Sequence, residues 1–232
     1  TVNRVWALMF STPLVEPVDS IPRDTSVPAV LDTLARDFSE NGFDMKRLIR
    51  LIAQTDAFQR SSRAEFEITQ QHEDCWAVFP LTQLRPEQVA GSVFQAGTLT
   101  AIDESSSIFT QLKSFGDLQE FLKRFGDRGE DEFESDAVTL QQRLIMMNGK
   151  MVRERTAVDL VNNASSRIAT LVSDDSQAIE LLFLASLNRS PSASEQQTYT
   201  SYLEGKQDQA RSSAMGDIFW ALINSTEFSW NH

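Results

Sequence analysis

Apolar residues recur three and four positions apart along nearly the whole chain, and that spacing restricts the fold more than any other feature. Residues so spaced share one face of an α-helix, which turns once in about 3.6 residues. Nowhere do several segments alternate apolar and polar residues with period two, so a sheet-based fold has no support. The pattern predicts an all-α fold, an irregular multi-helix bundle of about nine or ten helices with long loops at 11–27, 61–82 and 126–137.

Val2, Val5, Trp6, Met9 and Phe10 predict an opening amphipathic helix. Pro13, Pro17, Pro22 and Pro28 then lock φ and remove amide donors, which reads as an extended connection. Leu31, Leu34, Ala35 and Phe38 line a helix over 28–41 with Pro28 in its first turn and Gly42 as its stop. Asp44 caps a helix over 44–56 whose inward residues are Met45, Leu48, Ile49 and Ile52. Lys46, Arg47 and Arg50 fall on its wet side. The short link around Gly42 makes these two helices an antiparallel hairpin. Residues 61–80 lack periodicity and are expected to wrap over the helices.

Pro86 starts a helix that turns Val89, Ala90, Val93 and Phe94 inward, and shorter patterns follow at Ile108–Leu112 and Leu118–Phe125. From Ala137 the expected inward set is Leu140, Leu144, Ile145 and Met147, with Asn148-Gly149 as a turn. Val158, Val161, Ile168 and Leu171 continue the helical spacing to Asp174. Segment 175–187 is apolar nearly all round (Ile179, Leu181, Leu182, Phe183, Leu184, Leu187), which predicts a central buried helix. Ser192 and Glu195 form a capping box, Gly205 ends that helix, and a last helix over 212–224 buries Ile218, Phe219, Leu222 and Ile223. Ile52–Phe58 and Leu222–Phe228 echo each other: an amide residue, a hydroxyl residue, then an aromatic three positions later. The echo is too short for a repeat array and reads as two similar helix endings.

The 232 residues carry a net charge of -12, and all of it lies beyond residue 63, since residues 1–63 hold eight basic and eight acidic side chains. Such a surface repels phosphate backbones, which excludes nucleic acid as a partner. The most apolar run, Leu181 to Leu187, is too short for membrane insertion. Cys75 is the single cysteine, so an internal disulfide, a cysteine-rich zinc site and haem attachment are all excluded. The chain opens at Thr1 in a helical pattern. It is therefore read as a single helical domain over 1–232, the C-terminal fragment of a longer multidomain protein.

No phosphate-binding loop, dinucleotide fingerprint or nucleophile elbow occurs, and no catalytic residue is assigned. Asp127, Glu130, Asp131, Glu132, Glu134 and Asp136 make an oxygen-rich stretch beside Gly126 and Gly129, the chemistry Ca²⁺ favours, but without EF-hand register. Its default reading is a solvated loop. His72 and Cys75 are a weaker metal pair, because four consecutive potential ligands rarely converge on one tetrahedral ion. Asn3, Arg4, Asn188 and Arg189 place an amide and a guanidinium beside apolar helices, where pinning helix ends or loops is favoured over ligand recognition.

Several motifs recur in a familiar order. These are Asn3-Arg4-Val5-Trp6, Leu14-Val15-Glu16-Pro17-Val18-Asp19, the run Gly42 to Ile52, Phe58-Gln59-Arg60-Ser61-Ser62, Leu187-Asn188-Arg189-Ser190-Pro191 and the run Trp220 to Phe228. Together they resemble the C-terminal domain of unknown function of planctomycete exported, cytochrome-c-associated proteins, often called planctomycete-specific domain one. The resemblance is loose over 64–135, and Ala137–Arg143 stands where the family has Asn-Thr-Pro-Leu-Gln-Ala-Leu. It implies an extracytoplasmic setting, periplasmic or cell-surface, with upstream domains of the same polypeptide as partners. It places haem only on a separate upstream domain, leaves this domain without a cofactor, and carries over no catalytic residue.

Three functions follow as expectations. The first is a non-catalytic helical interaction or structural module of a larger exported protein, marked by an exposed apolar patch near Trp6 and Phe10. The second is part of an enzyme acting on extracellular glycans, its site completed by an upstream domain and marked by two carboxylates and an aromatic wall. The third is a calcium-stabilised binding module.

Overall fold

The computed structural model describes residues 1–22, 26–98, 116, 119–123 and 140–231. The fold is all-α. Among the described residues the only strands are β1 (Thr82–Gln83) and β2 (Trp230–Asn231), two residues each. The described residues gather into two compact units, one of Thr1–Gln83 together with Asn231 and one within Leu84–Trp230.

The first unit contains α1 (Val2–Phe10), α2 (Ala29–Glu40), α3 (Met45–Ala53) and the single turn α4 (Gln70–Asp74). Helices α1, α2 and α3 pack pairwise on one another. Their shared core takes Val2, Val5, Trp6 and Phe10 from α1, Leu31, Leu34 and Phe38 from α2, and Leu48 and Ile52 from α3. Phe10 is fully enclosed. Its ring stacks on Trp6 at 4.4 Å and meets Trp76 at 4.7 Å, Phe79 at 5.5 Å and Phe58 at 5.6 Å. The segment after α3, irregular as its sequence predicts apart from α4, therefore closes the core by delivering rings.

The α2–α3 link is a Schellman closure. Gly42 takes φ +68°, its N–H reaches the Ser39 carbonyl at 3.4 Å, and the Phe43 N–H reaches the Phe38 carbonyl at 2.9 Å. The Phe43 ring then rests edge-on against Phe38 at 5.4 Å, the hydrophobic contact that accompanies this motif. Asp44 caps α3 by accepting from the Arg47 N–H at 3.1 Å. Pro28 sits one position earlier than expected, as the residue flanking α2. Ala35, Met45 and Ile49, expected inside, are exposed. Leu48 and Ile52 lie at the middle of the buried stripe of α3, and Met45 and Ile49 lie at its edge.

The second unit holds α5 (Pro86–Gly97), α6 (the described helical residues 119–123), α7 (Leu140–Asn148), α8 (Lys150–Thr156) and α9 (Ala164–Leu171). It continues with α10 (Asp175–Leu187), α11 (Ala193–Leu203), α12 (Asp208–Ile223) and α13 (Thr226–Ser229). The expected short helix at Ile108–Leu112 lies outside the described residues. Helix α10 is central as predicted, packing on α5, α9, α11, α12 and α13. Ala178, Ile179, Leu182 and Phe183 are fully enclosed, whereas Leu181 and Leu184 emerge on the one face its neighbours leave open. Helix α12 starts four residues before the predicted boundary, with Ile218, Phe219, Leu222 and Ile223 buried as expected.

Two further inward assignments are corrected. Among the described side chains of α7 the buried one is Met146, while Leu144 and Met147 face solvent; the side chain of Leu140 lies outside the described residues. Val158 and Val161 do not continue a buried stripe, because no helix spans 157–163, and Leu171, the last residue of α9, is exposed. The Asp159 carboxylate accepts from the backbone N–H groups of Val161 at 2.9 Å and Asn162 at 3.0 Å, a local turn that competes successfully with the helix. Only Ile168 of that set packs against the core.

The two echoing helix endings share their hydrogen bonds. The Thr55 hydroxyl donates to the Ile52 carbonyl at 2.7 Å and accepts from the Phe58 N–H at 3.3 Å. The Ser225 hydroxyl donates to the Leu222 carbonyl at 2.7 Å and accepts from the Phe228 N–H at 3.2 Å. Each device turns an aromatic onto the core of its own unit.

Helix α8 ends directly on α12. A Cβ added at Gly216 would meet the Thr156 carbonyl oxygen at 2.4 Å, closer than real contacts permit. Gly216→Ala should therefore cost about 1–3 kcal/mol through enforced separation of these helices. Thermal denaturation should show a melting temperature lowered by about 3–10 °C.

Candidate functional site

Asn3, on the first turn of α1, is buried and all of its hydrogen-bonding capacity faces the loop that follows the helix. Its amide Nδ2 donates to the carbonyls of Val15 at 2.7 Å and Val18 at 3.0 Å. Its Oδ1 accepts from the N–H groups of Leu14 at 3.0 Å and Val15 at 3.1 Å. These four bonds substitute for the ladder that an extended loop lacks. Arg4 reaches the same loop from outside, with Nη1 at 2.5 Å from Asp19 Oδ2. Both residues pin structure.

Asn188 closes α10 in the left-handed conformation, φ 55°, a role Asn tolerates well. Arg189 lies between two carboxylates from different helices. Its Nε and Nη2 donate to Glu227 at 2.6 and 2.7 Å. Its Nη1 and Nη2 donate to Glu195 at 3.0 and 2.8 Å. The guanidinium also sits 5.2 Å from the centre of the Phe183 ring. Glu195 completes the predicted capping box by accepting from the Ser192 N–H at 2.8 Å. Hydrogen bonds from Arg189 hold the Glu195 carboxyl down to about 2, and the two carboxylates push the Arg189 guanidinium further up. The result is a clamp joining α10, α11 and α13.

Cation-rich α3 likewise has a structural partner. Arg47 Nε and Nη2 make a bidentate bridge to Asp37 of α2 at 2.9 and 2.8 Å, and this bridge lowers the Asp37 carboxyl below its usual range. His72 caps α4, its Nδ1 accepting from the Thr69 N–H at 3.0 Å. Cys75 is an exposed free thiol. Among the described residues no three His, Cys, Asp or Glu side chains gather as a metal site. The calcium candidates Asp127, Glu130, Asp131, Glu132, Glu134 and Asp136 lie outside the described residues.

Two features escape the sequence reading. Asn163 is buried and donates from Nδ2 to the carbonyls of Glu154 at 2.6 Å and Ala157 at 2.8 Å, tying the end of α8 to the start of α9. Asp159, Asn162 and Asn163, three turn-forming residues in close succession, were the available signal. The second feature is an open hollow of about 610 Å³ between the 158–160 loop, the end of α9 and the first turns of α12. No short-range motif marks it, because its walls come from segments about forty to fifty residues apart. A much smaller cleft of about 30 Å³ brings Glu120, Glu154 and Phe121 together. That is room for about one or two waters, not a sugar ring.

Asn3→Ala would leave the Leu14 and Val15 amides without their acceptor, so a loss of about 2–4 kcal/mol is expected in denaturant unfolding. For the clamp, the folded state holds Glu195 at about 2 against an ordinary 4.5. Its contribution is therefore complete above about pH 4.5 and disappears as pH falls toward 2. Glu195→Gln should lower the melting temperature near pH 7, and the gap from the parent should close progressively below about pH 4.5 in a pH series of thermal melts.

With the geometry in place, comparison with known proteins adds one finding. No curated protein and no solved structure is significantly similar to this chain. Residues 1–114, which include the first unit and α5, match the family model PSD1, a protein of unknown function (DUF1553).

Proposed function

We propose that this chain is a non-catalytic helical module that holds together domains of a larger exported protein. In this reading it acts outside the cytoplasm, packs on upstream domains of the same polypeptide, and carries no cofactor itself, any haem belonging to an upstream domain. The reading draws on the motif resemblance and on where the apolar surface is. Trp6 and Phe10 are 2% and 0% exposed, so the interaction face expected beside them is instead internal core. Val161 at 75% and Leu171 at 72% are the most exposed of the large hydrophobics described, with Val158 and Leu160 half-exposed close by in sequence. These four exposed aliphatic side chains within residues 158–171 are the observation that carries the proposal, since apolar surface left uncovered is what interaction sites use.

The polar groups support the same reading. Arg47, Arg189 and Arg211 are each engaged in bridges between helices, so these charges serve packing. The glycan reading gains nothing from the Glu120–Glu154 cleft at its size. No helix among the described residues is long and apolar enough to cross a membrane.

The test is association in solution with the polypeptide segment that precedes Thr1 in the parent protein, supplied on a separate tag. A stable complex by size exclusion, weakened at least about tenfold in titration calorimetry by paired Val161→Asp and Leu171→Asp changes, is the expected result. Independent migration of both partners at about 50 μM would rule the proposal out.

A further inference from the structure

The hollow on α9 and α12 is a cavity of ligand size that no helix-pinning role explains. Its volume of about 610 Å³ falls within the usual range of binding clefts. Two of its features point to a ligand. Val158, Leu160 and Ala169 give it an aliphatic wall, and no aromatic ring lines it. Asp208 and Arg211 are its only charged lining residues. Arg211 is already committed: Nε donates to Asp175 at 2.8 Å, Nη2 to the Val172 carbonyl at 2.9 Å, and Nη1 to the Ala169 carbonyl. Asp208 has no hydrogen bond or ion pair with any described residue, so the hollow presents one uncompensated negative charge.

We infer that this hollow takes an aliphatic side chain of a protein partner whose neighbouring residue is lysine or arginine. The aliphatic group packs between Val158, Leu160 and Ala169. The basic group meets Asp208. An acidic or phosphorylated segment would face Asp208 and a chain of net charge -12. A sugar would lack the aromatic platform on which its ring normally rests. The inference rests on reading the chain as an interaction module and adds the chemistry of what it recognises.

The probe is a fluorescein-labelled hexapeptide with two central leucines flanked by lysines, titrated with the full 232-residue chain by anisotropy. Its controls replace the lysines by glutamates or the leucines by serines. Saturable binding at least about tenfold tighter than either control is expected. Leu160→Ser should weaken it about five- to tenfold. Asp208→Asn should remove the preference for lysine over glutamate. Asp208 has φ 50°, a left-handed conformation that Asn also adopts, so this variant keeps the local backbone. Unchanged melting temperatures for both variants establish that they fold.

Equal binding of all three peptides, or none saturating by about 1 mM, overturns the inference. So does tight binding that neither variant weakens. A concentration-dependent dimer lost in Leu160→Ser assigns the hollow to a second copy and also overturns it. If the preceding segment binds the chain but the lysine–leucine peptide does not, the recognition chemistry fails while the module reading stands. Peptide binding without association of that segment gives the reverse.

Discussion

Helices this short, joined by loops this long, leave many backbone amides and carbonyls with neither a helix nor a sheet to satisfy them, and in each unit buried polar side chains take over that role. Asn3 alone engages Leu14, Val15 and Val18. Asn163 holds two carbonyls at the end of α8, and Arg211 holds two at and beyond the end of α9. Each of these groups is costly to bury alone and stabilising only when all its partners are in place. The loops are thus fixed by a few residues, and the helices they join inherit their positions from those residues.

Each unit is built around three helices that pack pairwise, α1–α2–α3 in one and α10–α11–α12 in the other. In each, the third helix ends on an amide residue followed by a hydroxyl that caps a short turn, and Phe58 or Phe228 returns to the core three residues later. Each also has a bridge between a guanidinium and carboxylates of neighbouring helices, Arg47 with Asp37 and Arg189 with Glu195 and Glu227. A small helical unit buries little surface, so locking its helix ends contributes a large share of its specificity. The cost is that the strongest charges become scaffold.

That division of labour bears on function. Among the described residues, the carboxylates with lowered proton affinity serve structure: Asp37 and Glu195 are halves of ion pairs between helices, and Asp159 accepts the hydrogen bonds of its own turn. The shift at Glu195 follows from Arg189, which itself serves helix packing, so a perturbed carboxyl marks architecture in this case. Among the described residues the scaffold leaves exposed the aliphatic side chains of Val158, Leu160, Val161 and Leu171, on which the proposed interaction rests.

Local physics made much of this legible in the sequence. The all-α class, the Gly42 link and the caps at Asp44 and Ser192 follow from spacing and from side chains acting within a few residues, and the all-round apolar character of 175–187 gave α10 its central place. Apolar spacing, however, states only which residues share a face. Whether Met45, Leu144 or Leu184 is covered depends on whether another helix lies against that side, and no residue nearby in sequence decides it. The same limit hid the hollow, whose walls at 158–160, 169–173 and 207–212 meet only after α9 and α12 have packed. The sequence by itself determined the helices and how they end, because those depend on hydrogen bonds a few residues long. Only the tertiary structure decided which apolar residues became core and which became surface, because burial is a property of neighbours distant in the chain.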